Sequence, residues 1–283
     1  MLLVNVLVAV RRESANRFHK NLSTKKDFKV QLVSDKGDAL SVLADRDQHV
    51  DVFVIDNGLG GVYDLIADVR HNYPRLIIVL IDEEADFGLP GQADELSTQP
   101  FENDDLVQRI TRLMSDRSLE TLRADSLPAV RQLAKRLRTA AGVGGKQQAA
   151  VAACKDLNFD FVAFYAPDST NPAKLVLKAQ DGPRPIQAVA PKDLSGDTDD
   201  LASWSLQHVQ SRIAGPTDNP NYPLVAKGRL GAVACIPVVF SGAKYGVIVV
   251  CRDQPGTITN ENILMLELIG AQLAAAISKE RVG

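Results

Sequence analysis

Short runs of Val, Ile and Leu that do not alternate with polar residues limit the first 115 residues more than any other feature of the chain. They fall at Leu2–Val10, Phe28–Val33, Val50–Ile55 and Leu76–Ile81, with a weak fifth at Glu95–Thr98. A strand that is apolar on both faces is buried on both faces, the condition of strands in a parallel sheet. Helix-like stretches separate the runs at Ser14–Leu22, Ala39–Arg46, Val62–Asn72 and Asp104–Met114. In the third, Val62, Leu65, Ile66 and Val69 keep i, i+3, i+4, i+7 spacing, and in the last Leu106, Val107, Ile110 and Leu113 share a face. The alternation predicts an α/β doubly wound parallel five-stranded sheet over residues 1–115, with right-handed crossovers.

From Asp116 the pattern turns long, polar and helical. Leu127, Val130, Leu133, Ala134 and Leu137 make one apolar stripe, and Arg131, Lys135, Arg136 and Arg138 face away from it. Pro128 suits the first turn of a new helix. Gly142, Gly144 and Gly145 are expected to interrupt before a further helix at Gln147–Leu157. Residues 116–145 are therefore read as a helical linker. An apolar stripe on such a helix needs a cover. Together with the stripe of the final helix, it predicts a homodimer seam through Leu133, Leu137, Leu268 and Leu273.

The second half, 146–283, reads as α+β. Phe159–Tyr165 and Lys174–Ala179 suggest a hairpin across the turn-rich APDSTNP. Leu201–Val209 is a predicted helix, set between loops at Lys192–Thr198 and Gly215–Tyr222. Two strong strands, Ala232–Phe240 and Tyr245–Cys251, flank the turn Ser241-Gly242-Ala243-Lys244. The final helix, Asn260–Lys279, carries Leu264, Leu268, Ile269, Leu273 and Ile277. An antiparallel sheet between flanking helices accounts for this order.

With 283 residues the chain has room for two domains, and its 45% apolar and 24% charged residues are ordinary for a globular protein. A formal charge of −3 lacks the basic footprint of a nucleic-acid binder. Met1–Val10 is apolar but too short to span a bilayer, and no basic run precedes it, so neither a leader nor membrane insertion is expected. Cys154, Cys235 and Cys251 lie far apart without a CxxC, which speaks against a disulfide framework or structural zinc and for a reduced, cytoplasmic setting. No metal or cofactor is expected from the ligand spacing.

The first half resembles response-regulator receiver domains through VFVIDNGLGG, which puts Asp56 at the carboxyl end of the third strand, and through GQADELSTQPFENDDLVQRI. In receivers an aspartate after the third strand is phosphorylated, so the resemblance makes Asp56 the candidate phosphoacceptor. Four places depart from the pattern. Where receivers hold Mg²⁺ with an acidic pair, this chain has Arg11 and Arg12, with Glu13 displaced toward the helix. The switch hydroxyl after the fourth strand is replaced at Ile81, and the lysine before Pro-Phe is Gln99. Mg²⁺ needs oxygen ligands, which arginines do not supply. The span from Ile81 to Gln99, with Gly88, Pro90 and Gly91, is short, so the fourth helix is expected to be stunted or absent. The resemblance as a whole implies a pseudo-receiver, a receiver fold kept for protein contacts.

The second half, about 146–280, is similar to GAF domains through LASWSLQHVQSRIAGPTDNPNY and the following RLGAVACIPVVFSGAKYGVIVVCRDQPGTITNENILMLELIGAQLAAAI. The resemblance implies either a small ligand held between sheet and loops or a dimerisation unit. The motif of cyclic-nucleotide-binding members is not present. Trp204, His208 and Tyr222 are the candidate pocket residues. Cys235 and Cys251 sit within apolar strands and read as small buried hydrophobes, as does Cys154 on its helix.

Other chemistry fails on residues. AAGVGGKQ lacks the first glycine and the Ser or Thr of a phosphate-binding loop, and it follows a helix where such a loop follows a strand. The acidic cluster Asp82-Glu83-Glu84 with Asp86 suits a solvated helix start. His19, His49, His71 and His208 are scattered, and no nucleophile–base pair can be named, so an enzyme is not expected. The sequence points to a dimeric, non-catalytic adaptor in bacterial-type signal transduction, with other signalling proteins as partners. The alternatives are a small-molecule sensor through the GAF pocket and a phospho-responsive regulator using Asp56.

Overall fold

The computed structural model describes residues 3–45, 48–85, 90–124, 128–194, 200–218 and 221–282, with side chains outside 118–129 and 281–282. Contacts divide the chain into two compact units, 1–71 with 75–120 and 121–283 with 72–74.

The first unit runs β1 (Val4–Ala9), α1 (Ala15–Leu22), β2 (Phe28–Val33), α2 (Lys36–Ala44), β3 (Val52–Asp56), α3 (Val62–Asn72), β4 (Ile77–Ile81), β5 (Glu95–Ser97) and α4 (Asp105–Ala124). All strands pair in parallel in the order β2-β1-β3-β4-β5. The chain reverses its winding between β1 and β3, and the carboxyl ends of those strands open on the crevice where doubly wound sheets bind ligands. Alternate residues (Val4, Val6, Val8, Val52, Val54, Ile77, Val79, Ile81) pack with Phe18 and Leu22 of α1 and with Leu106, Val107 and Ile110 of α4. The residues between them, among them Leu7, Phe53, Ile55, Ile78 and Leu80, are buried too. That double burial is why these runs do not alternate.

Two boundaries differ from the sequence expectation. α2 starts three residues early, because the Asp35 carboxylate caps it by accepting from the Asp38 amide at 2.8 Å. α4 runs past Met114 without a break. Arg117 anchors the extension, donating to the Arg75 carbonyl at 3.0 Å and to Asp94 at 2.8 Å. Residues 82–85 and 90–94, between β4 and β5, form no helix; Asp86 and Gly88 lie outside the described residues.

The second unit runs α5 (Pro128–Thr139), α6 (Gly142–Lys155), β6 (Phe161–Pro167), β7 (Leu175–Asp181), α7 (Arg184–Val189), β8 (Asp193–Leu194), α8 (Leu201–His208), β9 (Arg212–Ala214), α9 (Pro223–Ala226), β10 (Ala232–Phe240), β11 (Ala243–Arg252) and α10 (Asn260–Val282). The antiparallel sheet has the order β8-β7-β6-β11-β10-β9. One face packs with α5, α6 and α10 through Leu133, Leu137, Val151, Phe164, Ile236, Ile248, Ile269 and Leu273. The other packs with α8 and α9 through Phe161, Tyr165, Leu206, Tyr222, Leu224, Cys235 and Val249. β6 and β11 are sandwiched between these layers, so they too are apolar on both sides. Gly246, with φ +150°, lets β11 approach β6: a Cβ there would lie 2.2 Å from the Tyr165 carbonyl.

Three expectations are corrected here. The stretch 116–145 is not a separate linker, since 116–120 group with the first unit and 121–145 with the second. Gly144 and Gly145 lie inside α6, which begins at Gly142. The four seam leucines are not an open face. Leu133, Leu137 and Leu273 belong to the core under the sheet, and Leu268 packs with Val130, each 4% exposed or less. Their stripes meet within one chain, so no second copy is needed to cover them; Leu127 lies outside the described residues. By length and composition alone, 260–280 of α10 is long and apolar enough to cross a membrane, with a mean hydropathy of 1.3. In the structure Ile263, Leu266, Ile269, Leu273 and Ile277 are instead spent on this core.

Candidate functional site

The carboxyl end of the parallel sheet gathers the first set of candidates. β3 delivers Asp56 to its last position, 6% exposed, where the carboxylate accepts the Gly58 amide at 2.9 Å. Arg11, just after β1, brings its Nε to 3.6 Å from the other oxygen of that carboxylate. The guanidinium lies flush on Gly58, where a Cβ would meet its carbon at 2.5 Å. A larger residue at 58 would push this half-exposed guanidinium off the loop. Arg12 points to Ser34 (3.5 Å), and Lys36 donates to the Gly60 carbonyl at 3.0 Å. Glu13 is exposed in the following turn.

The acidic cluster after β4 has partners as well. Asp82 accepts from the Asn57 amide group at 2.8 Å and from the Glu84 backbone at 3.2 Å, and Glu83 pairs with Arg17 at 3.3 Å. The Asn57–Asp82 bond ties the β3 and β4 loops together, a link that spacing alone does not reveal. Ile81 is fully buried in the sheet core, and Gln99 is exposed in the loop after β5. The lattice behind that loop also went unread in the sequence. Ser97 donates to Asp105 at 2.7 Å, and Arg109 bridges Asp105 and Glu95.

The three pocket candidates of the second unit do not converge. Tyr222 is fully buried and its hydroxyl lies 3.3 Å from that of Tyr165, which also donates to the Pro191 carbonyl at 2.8 Å. Burial pushes both phenols above their ordinary range. Trp204 and His208 form a separate pair along one ridge of α8, rings stacked at 4.2 Å, with His208 Nδ1 2.9 Å from the Trp204 carbonyl. The neighbouring ridge, Ala202 and Leu206, enters the cluster that holds Tyr222. At the start of α8, Asp200 is 3% exposed and accepts from the Ala202 and Ser203 amides and from the Ser203 hydroxyl. Burial raises its carboxyl despite those bonds. Cys235 and Cys251 lie in the same cluster, fully buried, and desolvation pushes both thiols up. This face of the sheet is thus packed with the protein's own side chains, the two tyrosines largest among them. Among the described residues, no group of three or more His, Cys, Asp or Glu is placed to hold a metal ion.

Residues 147–278 match the family model of the GAF domain, and this segment is a GAF domain. The chain is similar in structure to the GAF domain from an Acinetobacter phosphoenolpyruvate-protein phosphotransferase (17% identity, 54% of this chain and 93% of that one, TM-score 0.47). It is also similar to the GAF domain from a Coxiella burnetii phosphoenolpyruvate-protein phosphotransferase (18%, 58% and 96%, 0.46). A third likeness is to the chromophore-binding domain of an unusual bacteriophytochrome from R. palustris (18%, 54% and 61%, 0.45). No curated protein matches the chain. The parallel five-stranded sheet lies outside the GAF match.

Proposed function

We propose that the chain is a non-catalytic signalling regulator, a receiver-like unit coupled to a GAF domain, which works through contacts with other signalling proteins. The observation that carries this reading is Arg11 on Asp56. Phosphoryl transfer to a carboxylate needs a divalent cation to neutralise the incoming group, and Mg²⁺ takes oxygen ligands in octahedral geometry. The guanidinium beside Asp56 supplies positive charge without an oxygen, repels a second cation and stacks on the loop the phosphoryl group would approach. Asp82, after β4, is held by Asn57. A carboxylate so placed closes the ends of β1 and β3 into a fixed surface for a partner. The filled cluster around Tyr165 and Tyr222 supports contact over the capture of a large chromophore in the GAF unit.

Titration of the full chain with Mg²⁺ by calorimetry tests the metal half of this reading. No saturable heat is expected. Saturable binding that Asp56→Asn abolishes would show that the arginine does not displace the ion.

A further inference from the structure

A groove of about 400 Å³ lies in the helical layer of the GAF unit, on the side of the sheet away from Tyr165 and Tyr222. Its lining comes from α5 (Ala134, Leu137, Arg138), α6 (Lys146) and α10 (Gln272, Ala275, Ala276, Lys279, Glu280). The volume is in the range of small-molecule sites, and clefts between packed helices are a common place for them. α5 and α10 run side by side here, with Val130 beside Leu268 at one end and Arg138 with Lys279 at the other. The lining is therefore graded along its length. Ala134, Leu137, Ala275 and Ala276 make an apolar floor, and Arg138, Lys146 and Lys279 gather at the far end against a single acid, Glu280.

Lys146 is the informative member. It is 8% exposed, and its ammonium is paired with Glu280, whose side chain is 39% exposed. A buried lysine is costly without a partner. Here the partner is half in solvent and can turn outward, which leaves the ammonium facing the groove. The surplus of cations selects an anion, and the alanine floor selects one with an apolar body.

We propose that this groove binds an amphiphilic monocarboxylate, its head group on Lys146 and Arg138 in place of Glu280 and its chain along Ala275 and Ala276. From Gln272 to Lys279 the helix rises about 10 Å, which an extended chain of about eight carbons spans. Exchange of Glu280 for the ligand changes what joins α6 to α10, so occupancy is communicated along the helices. The inference stands on the GAF unit alone and is independent of Asp56.

The test is calorimetric titration of the full chain with octanoate, beside octanol (the same body, no charge) and acetate (the charge, no body). Saturable octanoate binding is expected, with octanol and acetate much weaker. Lys146→Met should weaken it about tenfold or more, the loss of one charge-assisted contact. Ala275→Met, which fills the floor without altering charge, should abolish it while leaving the urea midpoint near wild type. Should Lys146→Met fail to fold, Ala275→Met decides. No saturable octanoate heat, octanol binding as tightly as octanoate, or an unchanged affinity in Ala275→Met would each overturn the proposal. So would a chain that self-associates through this face, with Arg138→Glu dispersing it and octanoate without effect, because the groove would then belong to a second copy.

Discussion

Leu273→Ala separates a core reading of the α10 stripe from an interface reading. The Leu273 side chain is fully buried in the cluster that also holds Leu133, Leu137 and Ile277. Truncation removes three carbons, worth about 2.4 kcal/mol at the usual transfer value per methylene. A cavity term adds to this because the sheet above and the helices beside it relax only in part, giving about 3–5 kcal/mol in all. The chain's one tryptophan, Trp204, lies in the same unit and reports its unfolding by fluorescence. With a urea slope of about 2 kcal/mol per molar, the midpoint should fall by about 1.5–2.5 M. Ala271→Glu, on the exposed side of the same helix, should move it by less than about 0.3 M. Sedimentation of the folded variants should show the oligomeric state of the wild type. A near-normal Leu273→Ala midpoint together with loss of a dimer would refute the burial argument and restore the leucine seam.

Further outcomes follow from the same structure. Gly246→Ala must find room for a methyl 2.2 Å from the Tyr165 carbonyl at φ +150°, and should lower GAF-unit stability by several kcal/mol, read by Trp204 fluorescence. Burial pulls the Asp51 carboxyl up, but the bonds from the His49 ring and the Asn5 amide pull it further down, so its folded pKa lies below the ordinary value. A depressed carboxylate contributes stability above its unfolded pKa and loses it as pH falls through the folded one. Calorimetric unfolding of the first unit should therefore weaken below about pH 4, and Asp51→Asn should flatten that acid limb. Cys154, Cys235 and Cys251 are fully buried with thiols raised by desolvation, so none should react with an aromatic disulfide until urea unfolds the chain; prompt labelling would contradict their placement.

What the sequence disclosed was faces, and what it withheld was partners. Val62, Leu65, Ile66 and Val69 announce a helix with one buried side, and α3 takes the bounds their spacing predicts. Asp56 is legible because a strand ending in Asp-Asn-Gly leaves the residue at the carboxyl end of the sheet. Periodicity says nothing of Arg11 reaching across from β1, or of Asn57 bonding to Asp82, since those contacts depend on how loops after different strands fall together. The leucine stripes of α5 and α10 were visible for the same reason that α3 was. That they cover each other within one chain was not, because an apolar stripe states a need for cover and not its source. The GAF resemblance groups Trp204 and His208 with Tyr222, whereas the helical turn sets them on a different ridge of α8 from Ala202 and Leu206, which pack in the cluster with Tyr222. The polar run Asp116–Ala124 read as a linker because its anchor, Arg117, is a charged side chain that buries itself against Asp94 and a carbonyl.

Whether Asp56 is closed to phosphoryl transfer is settled most directly by intact mass after incubation with acetyl phosphate and Mg²⁺, beside Asp56→Asn and a competent receiver. The ion pair with Arg11 predicts no gain in mass in this chain while the competent receiver labels. A gain of one phosphoryl group, about 80 Da, that Asp56→Asn lacks would contradict it, and would mean that Arg11 yields its place to the incoming phosphate.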